Sequence, residues 1–227
     1  MDDNKDIRDN LIINISYYIW WFFLGNLYFL LLNIPLVVLI LGLGTGILQS
    51  PAVWFIALCC IPLGPSLTAL MGAMGKLITN KDVSLTKELF KSYKNSFKQS
   101  LIIWTIISAI LTLLYIDAAF FISTKNPLAY LIYILIVFVL LLGLVSLSII
   151  SRFYLKTSQI TAIAFSYSFT HFKVTLFNLL TLLVTFYIFY SFTSYSVLFL
   201  SSIFCYCIVY NSRSILDDIE KRLQTAE

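Results

Sequence analysis

Long apolar segments alternate with short polar ones along the chain, and this alternation predicts a set of membrane-spanning helices. Residues 11–48 form an uncharged run. Because a bilayer core needs only about 20 helical residues, the run is too long for one perpendicular span, and we interpret residues 11–18 as an interfacial segment. The predicted spans are residues 19–44, 52–76, 101–122, 128–150, 174–190 and 195–211. The predicted fold class is therefore all-α, a polytopic transmembrane bundle of about six spans in a single domain, 1–227.

Prolines and glycines interrupt the first two predicted spans. Pro35 lies in the first span, whereas Pro62, Gly64 and Pro65 lie close together in the second. Proline removes a backbone donor and clashes with the preceding turn, so both spans are predicted to be kinked or broken. Beyond the second break, small residues share one helical face, which predicts close packing against another helix. That face consists of Ser66, Ala69, Gly72 and Ala73.

The polar segment at residues 77–100 predicts an amphipathic helix between spans two and three. Asp82 or Ser84 would cap its start near residue 85. Its lysine side consists of Lys87, Lys91, Lys94 and Lys98, and its aromatic residues are Phe90, Tyr93 and Phe97. Such a helix is typical of a segment that lies along a membrane surface, with its lysines facing headgroups or an acidic partner. Two interpretations stay open: a simple anchor for the link, or a brace against a partner protein.

Basic residues are distributed very unequally between the two predicted sides of the membrane. With six spans, both termini fall on the side that also receives the links 77–100 and 151–173. Lys125 is the one basic residue of the 15 that falls on the opposite side. The positive-inside rule therefore places both termini in the cytoplasm. The tail, 212–227, is cytoplasmic in this topology and carries an apolar helical stripe made of Ile215, Leu216, Ile219 and Leu223.

Composition supports a membrane protein and excludes two other classes. Hydrophobic residues make up 60% of the chain and charged residues 11%, against roughly 45–50% and about 25% in soluble domains. So few charges exclude a soluble globular surface, and so much hydrophobicity excludes a disordered chain. The four cysteines lie inside apolar runs, where we interpret them as small buried residues.

No residue set in the sequence has the spacing of a catalytic or metal site. His171 is the single histidine, and no carboxylate lies near it in the chain. We therefore predict a protein that is not an enzyme and that has no cofactor, metal or nucleic-acid partner. Two intramembrane polar residues are candidates for other roles. Asp117 either has a function or simply reaches the outer interface or a neighbouring helix, and Asn26 is expected to form hydrogen bonds between helices.

Three segments together resemble the YesL-like family of bacterial membrane proteins. Asn26–Pro35 reads NLYFLLLNIP, Gly64–Leu70 reads GPSLTAL, and Glu88–Trp104 reads ELFKSYKNSFKQSLIIW. The family also tends to carry an Asp near the end of the following span, as Asp117 does here. The resemblance departs at about 36–62, where this chain is longer, and it covers the second half by pattern only.

The resemblance implies a function that the residues alone do not. YesL-like proteins are typically encoded beside importers of oligosaccharides of the ATP-binding-cassette (ABC) type in Gram-positive bacteria. It implies a non-enzymatic accessory subunit of the bacterial plasma membrane, whose partners are lipid and the permease subunits of such an importer. The alternative is a small stand-alone transporter, which the broken helices, Asp117 and a weak internal echo between residues 90–101 and 165–176 favour. A membrane enzyme is the third and least favoured class.

Overall fold

The computed structural model describes residues 3–79, 84–192 and 198–224. Within these ranges the chain forms ten helices and no strand, so the predicted all-α fold is confirmed. The helices are α1 (Asp3–Leu32), α2 (Ile34–Gly44), α3 (Val53–Cys59), α4 (Leu63–Thr79), α5 (Leu85–Ser123), α6 (Leu128–Arg152), α7 (Thr157–Thr170), α8 (Phe172–Ser191), α9 (Leu200–Asn211) and α10 (Arg213–Gln224).

Several helices are long and apolar enough to cross a membrane, and the protein is a multi-pass membrane protein. The candidate spans in the described ranges are four: α3 with α4, α5, α6 and α8. The bent pair α1–α2 makes a fifth if it counts as one span. Helix α9 is apolar but has only 12 residues. Parts of three predictions, the cap at Asp82, the start of the sixth span at 195–197 and the tail end at 225–227, lie outside the described residues.

Both predicted interruptions are present as breaks between helices. The axes of α1 and α2 meet at 85° across Asn33. Pro35 lies in the first turn of α2, where its missing N–H costs no helical hydrogen bond, so it starts the second helix rather than bending the first. Pro62 precedes α4 and Pro65 lies in its first turn, which separates α4 from α3 in the same way.

Helix α5 is a single helix of 39 residues, and here the structure differs from the sequence-based expectation. The sequence predicts a separate amphipathic helix along the membrane surface, but this segment continues the axis of the span. No glycine or proline occurs from residue 85 to residue 123, so nothing in the chain breaks the helix. At 1.5 Å per residue α5 is about 58 Å long, whereas the apolar core of a bilayer is only about 30 Å thick. Its first part therefore projects beyond the core.

Helix α4 lies at the centre of the bundle, where it contacts α1, α5, α6 and α9. Leu70, Met71 and Met74 on this helix are completely buried. Helix α8 is the opposite case, because most of its apolar side chains are exposed, as in a helix that faces lipid. In the tail helix α10, three residues of the predicted apolar stripe, Ile215, Leu216 and Ile219, are buried, and the fourth, Leu223, has a side chain outside the described part of the structure.

Candidate functional site

The two helix breaks meet in one buried polar cluster, which we call the junction. Its members are Asn33, Ser66, Trp104 and the carbonyl of Cys60. Asn33 Nδ2 donates to the Phe29 carbonyl at 2.8 Å and to Ser66 Oγ at 2.7 Å. Asn33 and Ser66 are each only 1% exposed. The bend between α1 and α2 is therefore tied directly to the first turns of α4.

Trp104 of α5 completes the junction from the other side. Its Nε1 donates to the Cys60 carbonyl at 2.9 Å, a group that the gap between α3 and α4 leaves outside a regular helix. Gly64 lies against the same side chain. A Cβ at Gly64 would lie 2.3 Å from Trp104 Cβ and 3.0 Å from the Ser100 carbonyl oxygen. Only glycine lets α4 and α5 approach this closely.

Asn26 connects α1 to the start of α9. Its side chain is 1% exposed, and its Oδ1 accepts a hydrogen bond from the backbone N–H of Ser201 at 3.1 Å. The first N–H groups of a helix have no partner within that helix. Asn26 therefore satisfies one of them from a helix far away in sequence, which is the contact between helices expected of a polar side chain in a membrane bundle.

The small-residue face of α4 lies in the packed interior. Ala69 and Ala73 are completely buried, and Ser66 belongs to the junction. Gly72 is half-buried at the place where α4, α5 and α6 meet. A Cβ there would lie 2.3 Å from Ser92 Oγ on α5 and 3.4 Å from the Ser151 carbonyl oxygen on α6.

The lysine row and its aromatic neighbours lie at the surface of the projecting part of α5. All four lysines, Lys87, Lys91, Lys94 and Lys98, are exposed. Phe90 and Phe97 are exposed too, and Tyr93 is half-buried beside Phe97. Leu85 and Leu89 supply the buried side of this segment. Phe90 and Phe97 therefore remain open to solvent, lipid or a partner, whereas Tyr93 packs partly against the buried core.

Asp117 is exposed on an apolar face of α5, which we call the Asp117 face. Its other members are Leu113, Ile116 and Phe120, with exposed fractions of 64%, 51% and 63%. Asp117 forms no salt bridge within the described part of the chain. It lies six residues before the end of α5, a distance of about 9 Å. A helical Cβ tilts toward the N-terminus, so this short side chain points away from the nearer membrane surface.

Charged residues cluster at the other end of the bundle, which we call the basic end. Lys76 on α4 pairs with Glu88 on α5. Arg152, at the end of α6, reaches two acids of the tail helix: its Nη1 lies 3.0 Å from Asp217 Oδ1, and its Nη2 lies 2.5 Å from Glu220 Oε2. These pairs join α4 to α5 and the tail to α6.

A tyrosine on α7 holds the tail at a second point. Tyr167 donates its hydroxyl hydrogen to Asp218, and this bond lowers the pKa of the Asp218 carboxyl. Burial first, and then the bond to Asp218, raises the pKa of Tyr167 to about 12. Arg222 lies over the same ring, with its Cζ 5.5 Å from the centroid. The tail is therefore docked by packing and by polar contacts from two helices.

Sequence reasoning did not predict the junction or the polar docking of the tail. A usable signal for the junction was present, namely an indole donor on the helix that follows a Gly-Pro break. Among the described residues no group of three or more His, Cys, Asp or Glu is placed to hold a metal ion.

Residues 19–118 match a family model described as "Protein of unknown function, DUF624", a family known as YesL-like. The match covers less than half of the chain. It includes the whole junction and Asp117, so the residues that tie the two breaks together all lie in the matched region. No curated protein and no solved structure matches the chain.

Proposed function

We propose that the protein is a non-enzymatic accessory subunit of the bacterial plasma membrane, bound to the permease of a carbohydrate importer of the ABC type. The resemblance to YesL-like proteins supports the kind of importer. The structural observation that carries the proposal is Asp117, an acid exposed on an otherwise apolar spanning face.

A lipid-facing carboxylate is energetically unfavourable. A charged side chain at the centre of a spanning helix costs about 2.5–3.5 kcal/mol on the scale derived from insertion experiments, and less toward the interface. Asp117 lies about 9 Å inside the end of α5 and points inward. A basic or amide side chain on a partner helix would remove this cost, and intramembrane acids of this kind are commonly paired.

A second copy of this chain fits that requirement poorly. A two-fold axis along the membrane normal keeps each residue at its own depth. Lys125 is the basic residue nearest to Asp117 in sequence, and it lies beyond the end of α5, which ends about 9 Å along the axis from Asp117. A lysine at that level would have to extend its whole four-carbon stem back into the apolar core to meet Asp117. A different membrane protein, with a donor at the depth of Asp117, fits better.

The charge bias supports the orientation of the proposed subunit. With the six spans predicted from the sequence, the positive-inside rule puts both termini and the basic end in the cytoplasm. In that orientation the projecting part of α5 carries its exposed lysines beyond the inner surface, where a permease or its ATPase could contact them.

The junction favours one alternative, a small stand-alone transporter. Broken helices that meet inside a membrane bundle form substrate sites in several transporter folds. In the conformation described here, however, the junction is filled by its own side chains, with Asn33 and Ser66 buried. A transporter would have to open this region to admit a substrate, whereas an accessory subunit would not.

Purification in mild detergent from cells that also express the neighbouring importer tests the proposal. We expect the permease to co-purify with the unchanged chain and to be lost with Asp117→Leu. Lys125→Gln, which removes a charge from the same end of the bundle, is the matched control and should keep the permease. Failure to recover or crosslink the permease with the unchanged chain would refute the accessory role. Uptake of a sugar by vesicles that contain this chain alone would support the transporter instead.

A further inference from the structure

Two adjoining clefts at the basic end form a groove across α4. Their volumes are about 230 and 240 Å³. Both are lined by Gly72, Lys76, Ser151 and Arg152, so they lie on either side of the same wall. The first cleft continues toward the tail helix, and the second opens between α5 and α6, where no described part of the tail lines it.

The second cleft has the chemistry of an anion site. Its charged lining is Lys76, Lys91, Arg152 and Glu88. Lys76 is paired with Glu88, and Arg152 binds the tail through two of its donors. Lys91 forms no salt bridge with any described residue, and a guanidinium has five donor hydrogens, so Arg152 can donate further.

Neutral donors complete the lining of this cleft. Ser92, Asn95 and Ser96 line it from α5, and Tyr154 lines it from the segment after α6. Asn95 Nδ2 donates to Tyr154 Oη at 2.8 Å, which leaves the tyrosine hydroxyl hydrogen available to a ligand. Hydroxyl and amide donors beside a lysine and an arginine are suited to phosphate oxygens.

The level of the cleft along α5 favours a lipid headgroup as the source of the anion. The apolar part of α5 begins at Leu101. Just before it, Gln99 Nε2 donates to the Leu155 carbonyl, so the segment after α6 lies at the same height as this end of the apolar part. Residues 92–96 lie five to nine positions before Leu101, or about 7–13 Å along the axis. The headgroup region of one leaflet begins at the core boundary and is roughly 5–8 Å thick. The cleft therefore lies at the outer edge of the headgroup layer, where the long side chains of Lys91 and Arg152 can reach a headgroup phosphate.

We propose that the cleft between α5 and α6 binds the headgroup phosphate of an anionic phospholipid, held by Lys91, Arg152 and the neighbouring hydroxyl and amide donors. Tyr154, which lines the cleft and is 76% exposed, lies beside the site at interfacial depth. Its ring would contact the glycerol region of the bound lipid. The site does not depend on the proposed role with a permease.

Native mass spectrometry of the full-length protein, reconstituted with phosphatidylglycerol or phosphatidylcholine, tests this site. We expect one retained phosphatidylglycerol and no comparable retention of phosphatidylcholine. Lys91→Glu should lower retention about tenfold, since it removes a charge-assisted contact to the phosphate and places a repelling carboxylate in the cleft. Lys98→Glu makes the same charge change on an exposed residue of the same helix that does not line the cleft, and it should lower retention less than about twofold.

The remaining outcomes distinguish a bound lipid from diffuse surface charge and from free phosphate. Equal losses in Lys91→Glu and Lys98→Glu would show diffuse surface charge and refute the site. Displacement of the lipid by millimolar inorganic phosphate would identify free phosphate as the ligand and also refute it. If Lys91→Glu fails to fold, Asn95→Asp places a negative charge in the same cleft, and it should lower retention in the same way.

Discussion

Gly64→Ala is the change that most directly tests the packing of the junction. The added Cβ would lie 2.3 Å from Trp104 Cβ and 2.6 Å from its Cγ. Carbon atoms in contact prefer about 3.5–4.0 Å, so α4 and α5 must separate by roughly an ångström. The contacting atoms belong to the base of the Trp104 side chain, which cannot rotate away.

The magnitude follows from two contributions. Overpacking of this kind costs about 1–3 kcal/mol. Displacement of Trp104 also weakens its hydrogen bond to the Cys60 carbonyl, which adds about 0.5–1.5 kcal/mol. The higher helix propensity of alanine offsets at most about 1 kcal/mol of this destabilisation. We therefore expect Gly64→Ala to lower the free energy of unfolding by about 1–3 kcal/mol.

Two other glycines of α4 provide matched controls. A Cβ at Gly75 would meet Val209 Cγ1 at 3.5 Å, an ordinary contact, so Gly75→Ala should be neutral or stabilising. A Cβ at Gly72 would meet the small, rotatable hydroxyl of Ser92, so Gly72→Ala should fall between the two. Equilibrium unfolding in mixed micelles measures all three. Equal stability of Gly64→Ala and Gly75→Ala would refute the close contact at the junction.

Three further predictions concern the first turn of α9 and the docking of the tail helix. Asn26→Leu should speed amide hydrogen exchange in the first turn of α9, because it removes the side-chain acceptor that caps this turn. Loss of such a cap lowers the stability of the helix by about 1 kcal/mol. Unchanged exchange would contradict this contact. Limited proteolysis should release the tail far more readily in Ile219→Ala than in Arg152→Gln. Truncating a buried isoleucine costs about 2–5 kcal/mol of stability, whereas partly exposed ion pairs contribute at most about 1 kcal/mol. The reverse order would show that charge holds the tail. Because the bond from Tyr167 lowers the pKa of Asp218 below its ordinary 3.8, it stabilises the docked tail above about pH 4 and loses this effect as the pH falls through the lowered pKa. Tyr167→Phe should therefore speed exchange in the tail at pH 7 and progressively less as the pH falls below 3.8, and an effect that does not change with pH would be inconsistent with this linkage.

The fold class was predictable because apolar length decides whether a segment can span a membrane. Proline also marked both breaks, since it cannot donate within a helix. The continuity of α5 was harder to predict, because an amphipathic pattern beside an apolar one indicates two environments without giving the angle between them. The absence of glycine and proline from residues 85–123 was the informative feature.

The junction shows why single polar residues in a span are difficult to interpret from sequence. Asn33 and Ser66 are far apart in the chain, and nothing in the spacing of either indicates the other. Their contact depends on how α1, α4 and α5 pack. The tail was an intermediate case: its apolar stripe was visible in the sequence, but its partners on α6 and α7 depend on tertiary structure.

Site-specific photo-crosslinking on the Asp117 face tests the central claim, that a partner helix covers this surface, most directly. A photoreactive residue at Leu113, which is 64% exposed, is compared with one at Leu183 on α8, which is 56% exposed. In membranes that contain the neighbouring importer, we expect Leu113 to give a discrete adduct with the permease and Leu183 to give none. Absence of a protein adduct at Leu113, or equal adducts at both positions, would contradict the claim that the Asp117 face binds a partner.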